Sequence, residues 1–260
     1  MTGAGGIGVR SSLVSDVIST PKMAQVVASQ IRKRIVSGEL VAGEFLPFEA
    51  ELVTKYRTSK PIIREALRIL ETEGLIEVRR GGRAGAQVLE PSITYVARSV
   101  GVLLQHRATS VADVWDARSI LECDAVGILA ARHRASDVGS LRSTAARIHS
   151  LLGEPEVFSV EAIDFHEELV KLTRNKTMHV LTQALHEIVA AEMQLAQRRS
   201  TPEQVATGNL RATRAQTKLI QLIADGDKTH AVELWRRHMN AVGDILVRTV
   251  GPAYVIDIVE

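Results

Sequence analysis

Three basic side chains recur every fourth residue in one short stretch of the chain, at Lys60, Arg64 and Arg68. Residues four apart share one face of an α-helix, so these cations would form a basic ridge. The apolar residues among them follow the i, i+4, i+7 spacing of a buried stripe: Ile63, Leu67 and Leu70. A helix with a buried back and a basic front can enter the major groove of DNA. The alternative is a solvated amphipathic helix, because basic ridges of this size are common.

The elements around this basic helix favour the DNA-binding interpretation. Apolar periodicity predicts two helices ahead of it, over 22–37 and 48–56, and places the basic helix itself over 59–73. Two short strands are expected after it, over 75–79 and 86–89, with a loop rich in Gly and Arg between them. Two helices, a basic helix and a hairpin follow one another in the order of a winged helix-turn-helix.

The rest of the chain predicts one helix after another. The candidate helices are separated by short breaks and cover 93–106, 110–133, 136–152, 157–173, 177–199, 203–224 and 227–249. Short connections between long helices argue for an antiparallel bundle. The predicted fold class is therefore mainly α, with an N-terminal winged helix-turn-helix that carries a small β-hairpin wing. A C-terminal antiparallel all-α bundle of six to seven helices completes it.

Composition divides the chain into four segments. Residues 1–20 are rich in Gly and Ser and are expected to form a flexible N-terminal arm. The winged helix-turn-helix is assigned to 21–91, the all-helical domain to 92–250 and a C-terminal tail to 251–260. Residues 21–91 carry 12 Lys and Arg against 9 Asp and Glu, whereas 92–260 carry 19 against 20. A positive excess in the N-terminal third suits a phosphate-binding module on a near-neutral body.

Overall composition sets the class of protein. Of the 260 residues, 45% are hydrophobic and 24% are charged, which is typical of a globular chain with one or two cores. The single cysteine, Cys123, excludes an intramolecular disulfide and a multi-cysteine zinc site, and it fits a reducing cytoplasm. Residues 1–12 lack the pattern of a signal peptide, and no stretch approaches the roughly 20 apolar residues of a membrane helix. We therefore expect a cytoplasmic protein with no membrane partner.

Residues at fixed spacing carry a family resemblance. In the N-terminal third they are Ile31-Arg32-x-x-Ile35-x-x-Gly38, Gly43-Glu44-x-Leu46-Pro47-x-Glu49-x-x-Leu52 and Ser59-Lys60-x-x-x-Arg64-Glu65-Ala66-Leu67-x-x-Leu70-x-x-x-Gly74-Leu75. This order and spacing resembles the GntR family of bacterial transcription regulators. The helical remainder is similar to the ligand-sensing domain of the FadR-like branch of that family, through Arg118-x-x-Leu121-Glu122, Ala130-Ala131, Asp164-Phe165-His166-x-x-Leu169, Asn175, Gly226-Asp227 and His238.

The resemblance implies a homodimeric regulator, expected to be a repressor, that binds a palindromic DNA operator. It also implies a small effector in the helical domain, expected to be an organic acid or an acyl compound. Dimerisation agrees with an independent physical argument. One such module contacts only a few base pairs, whereas two modules related by a twofold axis read a palindrome.

Arg64 is the residue expected to read a base, because the family reads a base edge from this position. Its guanidinium can donate two hydrogen bonds to guanine O6 and N7. Lys60, as a point charge, is expected to contact phosphate or one guanine acceptor, and Ser59 suits both the N-cap and a phosphate contact. The other predicted DNA contacts lie on the ridge and the wing: Arg68, Arg79, Arg80 and Arg83. The alternative for Arg64 is an ion pair with Glu71 or Glu73.

Four residues of the helical domain are candidates for effector binding: Arg118, His166, Gln216 and His238. Arg118 is the expected anion partner, because a guanidinium matches a carboxylate. Many relatives hold a divalent metal between one Asp and three His. His166 and His238 match two of those ligands, but Ala162 and Gln216 stand at the other two positions.

We therefore expect no firm cofactor and a cavity that binds the effector directly. A divalent metal held by His166 and His238, and completed by an effector carboxylate, is the first alternative. Inward-facing histidines bonded to Gln216, Arg118 or water are the second. The remaining histidines are expected at the surface or at helix ends: His106, His133, His149, His179, His186 and His230.

Two other functions are compatible with the helical pattern. A DNA-binding dimer whose bundle serves only for dimerisation would bind no effector. A helical enzyme would use His166, Asp164 and Glu167 as acid–base groups, but no nucleophile motif, phosphate loop or cofactor fingerprint accompanies them. The sequence therefore predicts a regulator and not an enzyme.

Overall fold

The computed structural model of the chain describes residues 23–79, 85–251 and 254–256. These residues form two compact units, one ending at Pro91 and the other beginning at Ser92. The first unit holds the helices α1 (Met23–Val36), α2 (Glu49–Tyr56) and α3 (Lys60–Thr72) and the strands β1 (Ile76–Val78) and β2 (Ala86–Val88). The second unit holds the helices α4 (Ile93–His106), α5 (Val111–Arg132), α6 (Ala135–His149), α7 (Pro155–Leu172), α8 (Lys176–Arg199), α9 (Pro202–Ala224) and α10 (Lys228–Val250). The predicted fold class is confirmed.

Helix α3 buries the apolar face that its sequence predicts. Its residues in the core of the first unit are Ile63, Ala66, Leu67 and Leu70. Ser59 is the N-cap residue, but its hydroxyl accepts no hydrogen bond from the helix, so the predicted capping role of Ser59 is wrong. A capping hydroxyl bonds to the second or third backbone N–H of the helix, and the second residue here is Pro61, which has none.

The turn between α2 and α3 depends on a left-handed residue. Arg57 has φ 46° and ψ 50°. This conformation costs a residue with a Cβ atom roughly 1–2 kcal/mol. Two backbone hydrogen bonds close the turn, from the Arg57 N–H to the Thr54 carbonyl at 3.3 Å and from the Thr58 N–H to the Val53 carbonyl at 3.2 Å. The turn therefore sets α3 against α2 without a glycine.

The two strands form the expected antiparallel hairpin, with Ile76 opposite Val88 and Val78 opposite Ala86. The chain before α2 adds a short bridge to its other side, where Phe45 pairs with Gln87. Sequence periodicity does not predict this bridge, because a bridge of this length leaves no alternation to detect. The loop over 80–84, which includes Arg80 and Arg83, lies outside the described residues, as does the predicted arm over 1–20.

The seven helices predicted for the second unit are all present, with bounds that differ by up to three residues. The largest difference is at α6, which ends at His149 and not at residue 152. A turn follows, closed by the Glu154 N–H bonding to the Leu151 carbonyl at 2.8 Å, and Pro155 then opens α7. Part of the C-terminal tail contacts the helical unit, where Val255 forms an antiparallel bridge with Ser110 at the start of α5. Within the described part of the chain, no helix combines the length and apolarity needed to cross a bilayer.

Helices α5 and α10 approach closely through a glycine. The Trp115 indole N–H donates to the Met239 carbonyl at 3.0 Å, so the nitrogen-bearing edge of the ring faces the α10 backbone. A Cβ atom at Gly243 would lie 2.5 Å from the Trp115 Nε1 atom. This distance is far inside van der Waals contact, so only glycine fits at this position.

We expect Gly243→Ala to destabilise the protein by about 1–3 kcal/mol, because the added methyl group must displace a buried indole. This loss should exceed the gain of up to about 1 kcal/mol that alanine brings to a helix interior. Gly139→Ala is the matched control, since Gly139 lies in α6 with nothing within 4 Å of its missing Cβ. Urea denaturation should show G139A stabilised and G243A destabilised. A stabilised G243A protein would contradict the close approach.

Candidate functional site

The basic ridge of α3 is exposed. The side chains of Lys60, Arg64 and Arg68 keep 60%, 62% and 73% of their surface accessible, while the opposite face of the helix is in the core. A helix that holds its cations at the surface from a fixed backbone can bring them to a phosphate or a base edge. The structure therefore places these three predicted DNA contacts on one accessible face.

Arg64 pairs with a different residue from the one expected. Its Nε donates to both carboxylate oxygens of Glu49, at 3.2 and 3.1 Å, and the Lys60 Nζ lies 3.6 Å from the same carboxylate. The alternative of an ion pair with a Glu of the same unit is therefore present, but its partner is Glu49 and not the suggested Glu71 or Glu73. Glu71 accepts the backbone N–H of Val78 at 3.1 Å, and Glu73 pairs with Arg32 of α1.

Two further predicted DNA contacts, Arg68 and Arg79, have local partners. Arg68 pairs with Glu65 one turn earlier at 3.1 Å, and Arg79 pairs with Glu77 at 2.9 Å. All four side chains are exposed, so solvent screens these pairs and each contributes little to stability. Such pairs can be exchanged for phosphate contacts at small cost.

In the helical unit, one buried carboxylate accepts hydrogen bonds from side chains on three helices. The Glu122 Oε1 atom of α5 accepts the Arg118 Nε–H at 2.7 Å, and its Oε2 atom accepts from the His166 Nδ1 of α7 at 2.6 Å. The Trp235 indole of α10 donates to the same Oε2 atom at 3.2 Å. Burial raises the pKa of Glu122, but the charges of His166 and Arg118 and their hydrogen bonds outweigh burial and hold this pKa far below its usual range. We call these four residues the Glu122 cluster.

His186 extends this cluster. The Arg118 Nη1 atom lies 2.9 Å from the His186 Nδ1 atom, and the guanidinium lies over the Trp115 ring at 5.1 Å from its centroid. Because arginine only donates, Nδ1 must accept and the ring is neutral. Burial and the Arg118 charge lower the pKa of His186 to about 3. The expected surface position of His186 is therefore wrong. The available signal was helical spacing: His186 lies four residues after the buried Thr182 and three before the buried Val189, on the same face of α8.

His238 packs beside the cluster but has a free ring nitrogen. The Trp235 ring centroid lies 4.9 Å from that of His166 and 4.6 Å from that of His238. The His238 Nε2 atom is buried and has no hydrogen-bond partner among the described residues. Burial lowers the pKa of His238 to about 3, so its ring is neutral as well.

Gln216 is held by a histidine on another helix. Its Oε1 atom lies 2.9 Å from the His149 Nε2 atom of α6, and its own Nε2 atom is buried with no partner in the described part of the chain. His149 is half-buried and is the last residue of α6, which agrees with its expected position at the surface or at a helix end. The structure thus joins Arg118, His166 and His238 in one polar region and binds Gln216 to His149.

The residues present do not fit the four-ligand metal site of the relatives. Ala162 has no ligand atom, and no group of three or more His, Cys, Asp or Glu among the described residues is arranged to hold a metal ion. The Nδ1 atom of His166 is bonded to Glu122, and the indole of Trp235 packs against both His166 and His238. The Trp235 ring therefore lies against both histidines that match the ligands of the relatives.

Two cavities lie away from the Glu122 cluster. A cleft of about 410 Å³ between α6, α7 and α8 is lined by Thr144, Arg147, Asp164, Glu167, Glu168, Lys171, His179 and Gln183. A smaller one of about 230 Å³ lies between α6 and α9, next to His149. None of the four predicted effector residues lines either cavity. Next to the predicted effector residues, the buried Trp235 packs against the rings of His166 and His238.

The comparisons with known proteins agree with both units. Residues 23–85 match the family model described as bacterial regulatory proteins, gntR family, and residues 113–241 match the model of the FCD domain. The chain belongs to the GntR family. It combines the GntR helix-turn-helix with the effector-binding domain of the FadR-like branch.

Individual relatives of this GntR-family chain are distant. It is 24% identical over 230 residues to the HTH-type transcriptional repressor NanR of Salmonella schwarzengrund (strain CVM19633), covering 86% of this chain and 84% of that protein. NanR of Salmonella newport (strain SL254) matches equally, with 85% of its length covered. The solved structure of Streptococcus agalactiae GntR aligns with a TM-score of 0.62 at 21% identity, covering 85% of this chain and 99% of that one.

This GntR-family chain is a transcription regulator and not an enzyme, because the matched families and relatives are regulators. The residues of the enzymatic alternative have structural partners. Asp164 pairs with Arg147 at 2.6 Å, and Glu167 accepts from Gln183 at 3.3 Å.

The low pKa of His186 predicts a pH-dependent stability. With a pKa of about 3 when folded and 6.5 when unfolded, His186 takes up a proton on unfolding between these pH values. The free energy of unfolding should therefore fall as the pH is lowered from 6.5 towards 3. His186→Asn keeps an acceptor for Arg118 but cannot titrate, so its slope should be flatter by about 1.4 kcal/mol per pH unit.

Urea denaturation at several pH values between 4 and 7 measures this slope. His106→Asn, at an exposed position of α4, is the matched control. Equal slopes for wild type and H186N would contradict the buried, neutral assignment of His186.

Proposed function

We propose that this chain is a cytoplasmic, ligand-responsive repressor that binds a palindromic operator as a homodimer. The exposed basic ridge of α3, on a helix whose other face is buried in the core, is the observation that carries the DNA-binding part of this proposal. The repressor role is supported by the name of the NanR relatives. The match of residues 113–241 to the FCD domain supports a small-molecule effector.

Arg64 reads a base in this proposal, and the other cations contact the DNA backbone. The Arg64 guanidinium lies on the exposed face of α3, from which it can donate to guanine O6 and N7 in the major groove. Lys60, Arg68 and Ser59 contact phosphates along the same groove. From the hairpin, Arg79 contributes a phosphate contact, and Arg80 and Arg83 contact the minor groove or the backbone.

Dimerisation follows from how few base pairs one DNA-binding unit can contact. One recognition helix covers only a few base pairs, and discrimination against a genome needs more. Two copies related by a twofold axis place their recognition helices in successive major grooves, about 34 Å apart. The operator is then a palindrome with half-sites one helical turn apart.

The effector binds in the helical unit, beside the Glu122 cluster. His238 and Gln216 each hold a buried nitrogen that lacks a hydrogen-bond partner among the described residues. An unsatisfied buried polar atom costs roughly 1–3 kcal/mol, so a ligand that supplies the missing partner gains this amount. Arg118 and His166 complete the polar surface of the site. An organic acid or acyl compound would bind there without a divalent metal, after side chains such as Trp235 have moved.

We expect Arg64→Ala to abolish operator binding while the far-ultraviolet circular dichroism stays unchanged. A bidentate contact to guanine contributes about 1–3 kcal/mol, and a homodimer loses one from each half-site. Fluorescence anisotropy with an operator selected from a random DNA pool measures the affinity. Lys33→Ala removes one positive charge from α1 and should weaken operator and non-operator binding by the same factor. Unaltered operator affinity of R64A would show that Arg64 does not contact a base of the operator.

Thermal denaturation in the presence of small organic acids tests the effector site. A ligand at 100 times its Kd adds about 2.7 kcal/mol to the free energy of unfolding, and Tm should rise by several degrees. The shift should be the same with and without a chelator and should be lost in His238→Ala. Lack of any shift would favour a dimer without effector. A chelator that lowers Tm would favour the metal-dependent alternative.

A further inference from the structure

Glu49 lies beside two of the cations on the exposed face of α3, Lys60 and Arg64. It is the first residue of α2, and its carboxylate accepts the Arg64 Nε–H and approaches the Lys60 ammonium. The N-terminus of α2 is capped by another residue, since Glu51 accepts the Phe48 N–H at 2.9 Å. The first turn of a helix favours negative charge, so a carboxylate is stabilised at this position.

The contact between Glu49 and Arg64 uses only one edge of the guanidinium. Both hydrogen bonds come from Nε, and the two terminal nitrogens of Arg64 have no hydrogen-bond partner among the described residues. Two parallel N–H donors at the far end of the guanidinium are what guanine O6 and N7 accept. The carboxylate therefore fixes the plane of Arg64 and leaves its base-reading edge open.

We propose that Glu49 is a positioning residue for base readout, which holds Arg64 in the orientation that a guanine requires. This inference rests on the proposed function, since it assigns a second residue to the base contact made by Arg64. Without Glu49, the long Arg64 side chain samples many rotamers, and ordering them on the operator lowers affinity by about two- to tenfold per side chain. The loss falls on the operator alone, because non-operator DNA makes no base contact that needs this orientation.

The negative charge of Glu49 lowers the affinity for DNA, whereas its positioning of Arg64 raises the affinity for the operator. A carboxylate near the DNA repels phosphates of every sequence, so its removal strengthens binding to operator and non-operator DNA alike. The two effects separate in the ratio of operator affinity to non-operator affinity. Charge removal leaves this ratio unchanged, whereas loss of positioning lowers it.

The experiment measures both affinities at one fixed salt concentration for wild type, Glu49→Gln and Glu49→Ala. The ratio should fall in the order wild type, E49Q, E49A, because glutamine keeps a neutral acceptor for Nε and alanine keeps none. We expect a total fall of about two- to tenfold per half-site, confined to the base pair that Arg64 reads. Glu39→Gln removes the same charge from a residue that pairs with Arg34 in α1, and it should leave the ratio unchanged.

A double-mutant cycle with Arg64→Lys separates positioning from a general structural role. Lysine keeps the charge and a donor for one guanine acceptor, so E49A should no longer change the ratio in the R64K background, because the planar guanidinium that Glu49 orients is absent. A ratio that is unchanged or raised in E49A with Arg64 present would overturn the inference, as would an equal fall in both backgrounds. Failure of the proposed function has a different signature, namely an R64A protein that binds operator as wild type does.

Discussion

Removing a carboxylate from water costs several kcal/mol unless charged donors replace its hydration. Glu122 is fully buried, and the donors that replace its hydration come from α5, α7 and α10. Any slip of one of these helices would leave a charge without a partner in the interior. The Glu122 cluster therefore fixes the register of three helices whose apolar faces, rich in Leu, Val and Ala, would tolerate several arrangements.

The first unit is organised in the opposite way. Its core is apolar, and its ion pairs lie at the surface, where solvent screens them. The buried face of α3 holds the helix in the fold, and its exposed face carries the charges. In the proposed complex Arg68 exchanges Glu65 for a phosphate, because their exposed pair is weak, while Glu49 keeps Arg64 oriented. A helix register that must not slip benefits instead from buried pairs.

Periodicity along the chain was enough to predict the helices, the hairpin and the exposure of Lys60, Arg64 and Arg68, because each depends on neighbours within one element. The partners of these residues were not predictable in this way. Arg64 meets Glu49, and Arg118 meets His186, across 15 and 68 residues of sequence. Pairs of this kind arise only once helices have packed. For the same reason, the sequence could not show that the Trp235 ring packs against both His166 and His238.

The positions of the tryptophans have an optical consequence. The chain contains two, Trp115 and Trp235, and both are buried in the helical unit. Residues 1–91 contain none. Intrinsic indole emission is therefore a label that the protein already carries on one unit alone. Because the Trp235 ring packs against His166 and His238, its emission reports on the environment next to the Glu122 cluster. The DNA-binding unit contributes no indole emission.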